Sequence, residues 1–147
     1  MSISTIGVDL AKTSFSIYGV DDHGKPVIRR TLTRSKLLAV IANLPPCLIG
    51  MEACSGAHYW AREFHKLGHQ VRIMAPKYVA PYRTGAKNDL NDAQAICEAV
   101  TRPSTRFVPI KSAEQQAVLA AHRIRQGWVK ERTALINQIR GLLSEFG

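Results

Sequence analysis

One continuous apolar run, CLIGMEA at residues 47–53, limits the folds open to this chain more than any other feature. The run is short enough for a strand, and an unbroken apolar sequence is typical of a strand buried on both faces. An acidic residue, Glu52, stands near its carboxyl end, where an unpartnered charge is costly. The run therefore predicts a buried strand that carries a carboxylate at its end.

Three further strands are predicted ahead of this run. Residues 3–10 alternate between apolar and polar side chains, and Asp9 lies near the end of the alternation. Residues 14–20 and 26–33 also have strand patterns, and the glycine-containing turn DDHGK joins them. Together these segments predict an antiparallel meander of three strands, the first of which ends with an acidic residue.

Helices and strands alternate in the part of the chain that follows the meander. Residues 34–44 have a helical pattern that two consecutive prolines end, and residues 56–68 have a second helical pattern. Residues 70–75 predict the next strand, and the stretch KNDLNDAQAI at residues 87–96 begins the next helix. The sequence thus predicts an α/β fold with a mixed sheet flanked by helices, in which ligands bind at the carboxyl ends of the strands.

The last third of the chain predicts one long helix. Residues 105–110 are either a short edge strand or extended chain, and residues 112–146 contain no proline. An apolar stripe beside basic residues is typical of a helical hairpin or of a coiled coil that forms a homo-oligomer, and an amphipathic helix folded back on the sheet accounts for it equally well. We therefore expect one domain at residues 1–110 and the start of a helical extension at residues 111–147. The stripe consists of Ile124, Trp128, Leu135, Ile139, Leu142 and Phe146.

Composition and charge favour a polyanionic partner in the cytoplasm. The 147 residues, 46% of them hydrophobic, are enough for one core, and 20 Lys and Arg against 11 Asp and Glu give a net charge of +9. Such an excess suits nucleic acid, although a generic basic protein also has it. The three cysteines show no paired spacing, which favours idle thiols in a reducing compartment. No apolar run approaches the roughly 20 residues of a membrane span, so no membrane partner is expected.

Four acidic residues fall where predicted elements begin or end. Asp89 and Asp92 are three residues apart at a helix start, so two like charges share one face unless a cation lies between them. If the strands of Asp9 and Glu52 are adjacent, all four carboxylates converge. Carboxylate oxygens suit Mg²⁺ or Mn²⁺, and two such ions about 4 Å apart can support phosphodiester cleavage. Structural interpretations also exist: Asp92 as a complement of the helix dipole, Asp89 as a helix cap and Asp9 as a turn former.

Basic residues near the acids, and on the long helix, are candidates for binding nucleic acid. They would hold backbone phosphates without reading bases, with an affinity that falls steeply with salt. Solvated surface charges are the alternative interpretation. The candidates are Lys12, Lys77, Arg83 and Lys87 near the acids, and Arg123, Arg125 and Lys130 on the long helix.

Two other classes of function remain open at this point. An actin-like ATPase or sugar kinase also ends its first strand in an aspartate, but here the following turn is LAKTS and no second glycine-rich phosphate loop follows. A non-catalytic nucleic-acid-binding module would use the basic long helix, with the acids in structural roles. Binding that survives acid-to-alanine changes, without any metal, would favour the second alternative.

Three stretches of the sequence carry a resemblance to a known family. They are GVDLAKTSFSIYGVDDHGK at residues 7–25, the segment from MEACSG to ICEAV at residues 51–100, and QIRGLLSEFG at residues 138–147. They resemble the amino-terminal domain of the DEDD transposases, an insertion-sequence family that includes the pilin-gene invertases. The motifs are the Asp of G-V-D-x-A-K, the Glu of M-E-A and the two Asp of K-N-D-x-x-D.

This resemblance implies a fold, a site and an activity. It implies an RNase H-like fold related to Holliday-junction resolvases, with Asp9, Glu52, Asp89 and Asp92 as a metal-binding tetrad that serves DNA transposition or inversion. In the family a second, carboxyl-terminal domain supplies a serine that attacks the DNA, and a structured RNA guides the choice of target. The sequence ends before that domain. The family also extends a coiled coil for dimerisation and RNA contact, which favours the hairpin or coiled coil over the folded-back helix.

Overall fold

The computed structural model describes residues 3–85 and 88–147. The chain divides into two compact units, Met1–Ile110 and Lys111–Gly147. The strands are β1 (Thr5–Leu10), β2 (Ser14–Val20), β3 (Pro26–Thr33), β4 (Leu48–Glu52), β5 (Gln70–Met74) and β6 (Phe107–Val108). The helices are α1 (Arg34–Ala42), α2 (Ala57–Lys66), α3 (Pro76–Val79), α4 (Asp89–Val100) and α5 (Ala113–Leu143), and 3₁₀ turns cover Ala80–Tyr82 and Ser144–Phe146.

The strands of the described residues form one mixed sheet in the order β3-β2-β1-β4-β5-β6. The first three are antiparallel neighbours, β4 and β5 run parallel to β1, and the short β6 closes the edge antiparallel to β5. This confirms the predicted meander plus parallel strands, and it resolves the segment at residues 105–110 as an edge strand. Because β1 and β4 are adjacent and parallel, the acidic residues near their carboxyl ends lie at the same edge of the sheet.

Helices cover both faces of the sheet. Ile6 and Val8 of β1 are fully buried in a core that includes Phe64 of α2. Residues that alternate with them along a strand face the other side, and there α4 packs with Ala93 and Cys97 buried. The sheet is thus a central layer, and α4, the helix that carries the paired aspartates, packs on one of its faces.

The helix α5 is continuous over 31 residues. A capping box begins it, because the Ser112 hydroxyl accepts a hydrogen bond from the Gln115 amide while the Gln115 side chain accepts one from the Ser112 amide. None of its residues is buried, and Trp128 and Leu142 of the apolar stripe are 69% and 63% exposed. The predicted long helix is therefore confirmed. Among the described residues no helix is both long and apolar enough to cross a membrane.

Candidate metal centre

In both β1 and β4 a glycine precedes the acidic residue by two positions. Gly7 precedes Asp9, Gly50 precedes Glu52, and the two glycines pair in the parallel register. Within each strand the glycine and the acid share one face, because side chains alternate. A Cβ atom on Gly7 would lie 2.1 Å from the Ala93 carbonyl oxygen, and one on Gly50 would meet α4 at 2.7 Å. The glycines thus let α4 lie directly on the sheet face from which both acids project.

The aspartate pair of α4 lies in the first turn of the helix, where neither residue is the cap. Asn88 is the N-cap, and its side-chain oxygen accepts a hydrogen bond of 2.8 Å from the Asn91 amide. The interpretation of Asp89 as the helix cap is therefore wrong. Asp89 and Asp92 still benefit from the positive end of the helix dipole.

Three carboxylates meet where β1 ends and α4 begins. Asp9, Asp89 and Asp92 each offer an oxygen, and these oxygens lie within 4.8 Å of one another. Burial raises the pKa of Asp9 to about 6, and the negative charges of Asp92, Asp89 and Glu52 add to the rise while Arg83 opposes it. Neighbouring negative charge of this kind is what a bound cation would offset.

The fourth acid, Glu52, joins the group through an arginine. The Arg83 Nη2 atom lies 2.8 Å from the Glu52 Oε2 atom, and its Nε atom lies 2.8 Å from the Asp92 Oδ1 atom. Sequence analysis placed Arg83 among residues that bind phosphate, whereas the structure places its guanidinium between two of the acids. The structure thus brings Asp9, Asp89 and Asp92 together directly and links Glu52 to them.

The cluster of carboxylates from Asp9, Asp89 and Asp92 fits a divalent cation such as Mg²⁺ or Mn²⁺. Its donors are hard oxygens, which these ions prefer. One oxygen from each of Asp9, Asp89 and Asp92 lies within 4.8 Å of the other two, so these three side chains could hold one ion. Phosphate oxygens and water would complete the coordination.

One of the predicted phosphate-binding residues lines a groove. Lys12 follows β1 and lies with Arg34 in a groove of about 590 Å³. The strand pairing explains how two residues distant in sequence meet, because the Arg34 amide donates to the Thr13 carbonyl at 3.3 Å. The Arg34 guanidinium lies 5.2 Å from the ring centre of Trp60. Trp60 also lines the groove, and the remaining lining residues are Thr13, Thr33, Ser35 and Leu38.

The other predicted basic residues have different settings. Lys77 is exposed on α3, with its Nζ atom 5.2 Å from the ring centre of Tyr78. Lys87 lies outside the described residues. Arg123, Arg125 and Lys130 are exposed on α5. Sequence reasoning missed Arg34, although its position at the start of a helix that follows a meander strand could have suggested it.

The three cysteines are free thiols, as the sequence predicts. Cys47 and Cys97 are buried, and burial raises the pKa of their thiols to about 11 and about 12. Cys54 is exposed near the acids, and partial desolvation by the surrounding protein, together with the negative charges of Asp9 and Glu52, raises the pKa of its thiol too. Thiols with raised pKa values are poor nucleophiles at neutral pH.

Comparisons with known proteins point to transposases. Residues 6–147 match a family model described as a transposase, of the DEDD IS110 type. The chain is 57% identical over 147 residues to a probable family 20 transposase of Pseudomonas aeruginosa. That alignment covers all of this chain and 44% of the Pseudomonas protein. The chain is 44% identical over 146 residues to the transposase for insertion sequence element IS1328 of Yersinia enterocolitica, covering 99% of this chain and 44% of that one. The chain therefore spans less than half the length of these relatives.

The fold also has a solved counterpart. A structure of T. thermophilus RuvC in complex with a Holliday junction substrate aligns with a TM-score of 0.53, at 12% sequence identity. The alignment covers 74% of this chain and 100% of the RuvC chain. At this identity the likeness concerns the fold alone, and it agrees with the predicted mixed sheet flanked by helices.

Proposed function

Because this chain belongs to the DEDD transposase family of the IS110 type, we propose that it supplies the metal-dependent DNA-cleaving site of a transposase. The observation that carries the proposal is the convergence of Asp9, Asp89 and Asp92 from two elements far apart in sequence, with oxygens within 4.8 Å. Glu52 completes a tetrad with them. The family match is to transposases, which displaces the kinase-type alternative.

In this proposal each group of residues has a separate task. The tetrad holds Mg²⁺ or Mn²⁺ at the carboxyl ends of β1 and β4, and the ion would supply activation of the attacking oxygen and stabilisation of the leaving one. Lys12 and Arg34 line a groove next to the end of β1 and hold the DNA backbone through its phosphates. Lys77, exposed on α3, adds to this contact, and so does Lys87, which precedes α4 in the sequence.

Finer features that the family resemblance implies are part of the same proposal. Residues 1–110 form the catalytic domain, and residues 111–147 begin a coiled coil through which two copies associate. Arg123, Arg125 and Lys130 on α5 contact a structured guide RNA. The protein works in the cytoplasm on insertion-sequence DNA, and a second domain supplies the serine that attacks it.

The experiment that tests the proposal is a Mn²⁺ titration of this chain, with free Mn²⁺ followed by electron paramagnetic resonance in the presence of branched DNA. Wild-type protein should bind Mn²⁺, and Asp9→Asn should lose the binding. Asp22→Asn is the matched control, because Asp22 is an exposed aspartate in the turn between β2 and β3, at the other end of the strands. In the full-length protein Asp9→Asn should abolish recombination. Wild-type chain that binds no Mn²⁺ with DNA present would contradict the proposal.

A further inference from the structure

Arg83 holds two acids of the tetrad at the same time. Its Nε atom contacts Asp92 and its Nη2 atom contacts Glu52, both at 2.8 Å. Glu52 ends β4 and Asp92 lies in the first turn of α4, so the guanidinium connects the strand to the helix. The position between two carboxylates is one that a divalent cation would also favour.

The backbone of Arg83 is fixed while its side chain is accessible. The Arg83 amide donates to the Ala80 carbonyl at 3.2 Å, and the preceding Tyr82 packs against a buried cluster that includes Met74 and Ile96. The Arg83 side chain is 41% exposed. A long side chain on an anchored backbone can therefore move its charged end without any change in the fold.

The charges at the site leave Arg83 with competing partners. The guanidinium pairs with two carboxylates, Glu52 and Asp92, and Asp92 belongs both to this ion pair and to the group of three acids that fits a metal. A guanidinium has five N–H donors in a planar fork, which matches the oxygens of a phosphate as well as those of a carboxylate. Arg83 can thus exchange its carboxylate partners for a DNA phosphate without losing charge-assisted hydrogen bonds.

We propose that Arg83 is the resident cation of the carboxylate site in the absence of DNA, and that it leaves Glu52 and Asp92 to bind a backbone phosphate when DNA and a divalent ion arrive. This rests on the proposed function of the same site. Arg83 then lowers the affinity for metal when no DNA is present and makes metal and DNA binding cooperative. The domain would assemble its cleaving site only on DNA.

The prediction of cooperativity separates this role from a purely structural one. An arginine that only braced β4 against α4 would affect stability and leave the mutual dependence of metal and DNA unchanged. An arginine that exchanges partners gives DNA and metal the same coupling factor in both directions. Couplings of this kind typically lie between 5-fold and 150-fold, so we expect roughly tenfold here.

The test is a set of Mn²⁺ titrations of the 147-residue chain, with and without branched DNA, followed by electron paramagnetic resonance. Arg83→Gln should bind Mn²⁺ roughly tenfold more tightly than wild type without DNA, and DNA should no longer increase its Mn²⁺ affinity. Arg83→Lys keeps the positive charge but loses the planar guanidinium. Its Mn²⁺ affinity without DNA should therefore lie between the affinities of wild type and Arg83→Gln. Lys25→Gln is the charge-matched control in the turn between β2 and β3, and it should behave as wild type.

Each outcome has a distinct meaning. Equal Mn²⁺ affinity of wild type and Arg83→Gln without DNA would overturn the role of Arg83 and leave the metal site standing. Unchanged cooperativity between DNA and Mn²⁺ in Arg83→Gln would overturn it as well. A wild-type chain and an Arg83→Gln variant that both bind no Mn²⁺, with or without DNA, would overturn the metal site together with this inference.

Discussion

The backbones of Gly7 in β1 and Cys97 in α4 lie in direct contact. A Cβ atom on Gly7 would stand 2.5 Å from the Cys97 amide nitrogen, closer than non-bonded atoms approach. The contact holds α4 against the strand, and the first turn of the helix thereby reaches the carboxyl end of β1. The meeting of Asp9 with Asp89 and Asp92 depends on this approach.

Gly7→Ala should therefore lower the stability of the protein and disturb the proposed metal site. Since the atoms that an added methyl group meets belong to the backbone of α4, they cannot rotate away, and the free energy of unfolding should fall by about 3 kcal/mol or more. Mn²⁺ binding should weaken as the helix moves from the strand. Urea denaturation measures the first effect and paramagnetic resonance the second.

A helical glycine provides the matched control. Gly127 lies within α5, and nothing stands within 4 Å of a Cβ built on it. Gly127→Ala should stabilise the helix by up to about 1 kcal/mol, because alanine is the better helix former. A Gly7→Ala protein as stable as wild type would mean that α4 does not contact β1 in this way.

Replacement of Asp9 by asparagine should stabilise the metal-free protein, and the gain should depend on pH. Burial and neighbouring carboxylates raise the pKa of Asp9 from 3.8 to about 6, so the folded state holds its proton more tightly than the unfolded chain. Ionised Asp9 therefore lowers stability above pH 6, and the penalty disappears as pH falls towards 4. The free energy of unfolding of Asp9→Asn should exceed that of wild type by about 1 kcal/mol at pH 7.5. At pH 4 the two free energies should be nearly equal.

Urea denaturation with a chelator at both pH values measures this difference. Asp22→Asn, in an exposed turn, controls for the loss of one negative charge. A stabilisation by Asp9→Asn that is equal at both pH values would show that Asp9 is not held in a repulsive cluster. Loss of stability at pH 7.5 would contradict the prediction outright.

Local patterns in the sequence predicted most of the fold. The apolar run at residues 47–53 became β4 at Leu48–Glu52. The second and third meander strands were predicted at their observed bounds, whereas the first begins at Thr5 and not at residue 3. Apolar periodicity and prolines act over a few residues, so a single sequence carries them. The motifs also led to the correct family, which the match over residues 6–147 confirms.

Contacts between distant segments account for what the sequence did not predict. Arg83 and Glu52 are 31 positions apart, and Arg83 follows the four-residue helix α3 and a 3₁₀ turn, which are too short to have a recognisable period. The packing role of Gly7 was missed as well. Its signal was present, since a glycine stands two residues before the acid in both G-V-D and G-M-E.

The groove beside β1 should contribute to DNA binding through charge. Lys12 and Arg34 both line it, and each phosphate contact releases about one counterion. For Lys12→Gln with Arg34→Gln, the slope of log affinity against log salt should fall by about 2. Fluorescence anisotropy with branched DNA, over a range of salt concentrations, measures the slope.

Lys25→Gln again serves as the control, because Lys25 lies in the turn at the opposite end of β2 and β3. It should leave the slope within experimental error of wild type. An unchanged slope in the double variant would place the DNA backbone elsewhere. Mn²⁺ binding without DNA should be the same in the double variant as in wild type, since neither residue belongs to the tetrad.

The exposed stripe of α5 should hold two copies of the chain together. Leu135 and Leu142 are 57% and 63% exposed, and their spacing of seven residues puts them on one helix face. Burial of a leucine contributes about 1.5–3 kcal/mol, so Leu135→Glu with Leu142→Glu should convert an associated protein into a monomer. Sedimentation equilibrium measures the change, and circular dichroism checks that the helix remains.

Gln126→Glu adds negative charge to the same helix without altering an apolar side chain, and it should leave association intact. A wild-type chain that stays monomeric at high concentration would contradict this prediction.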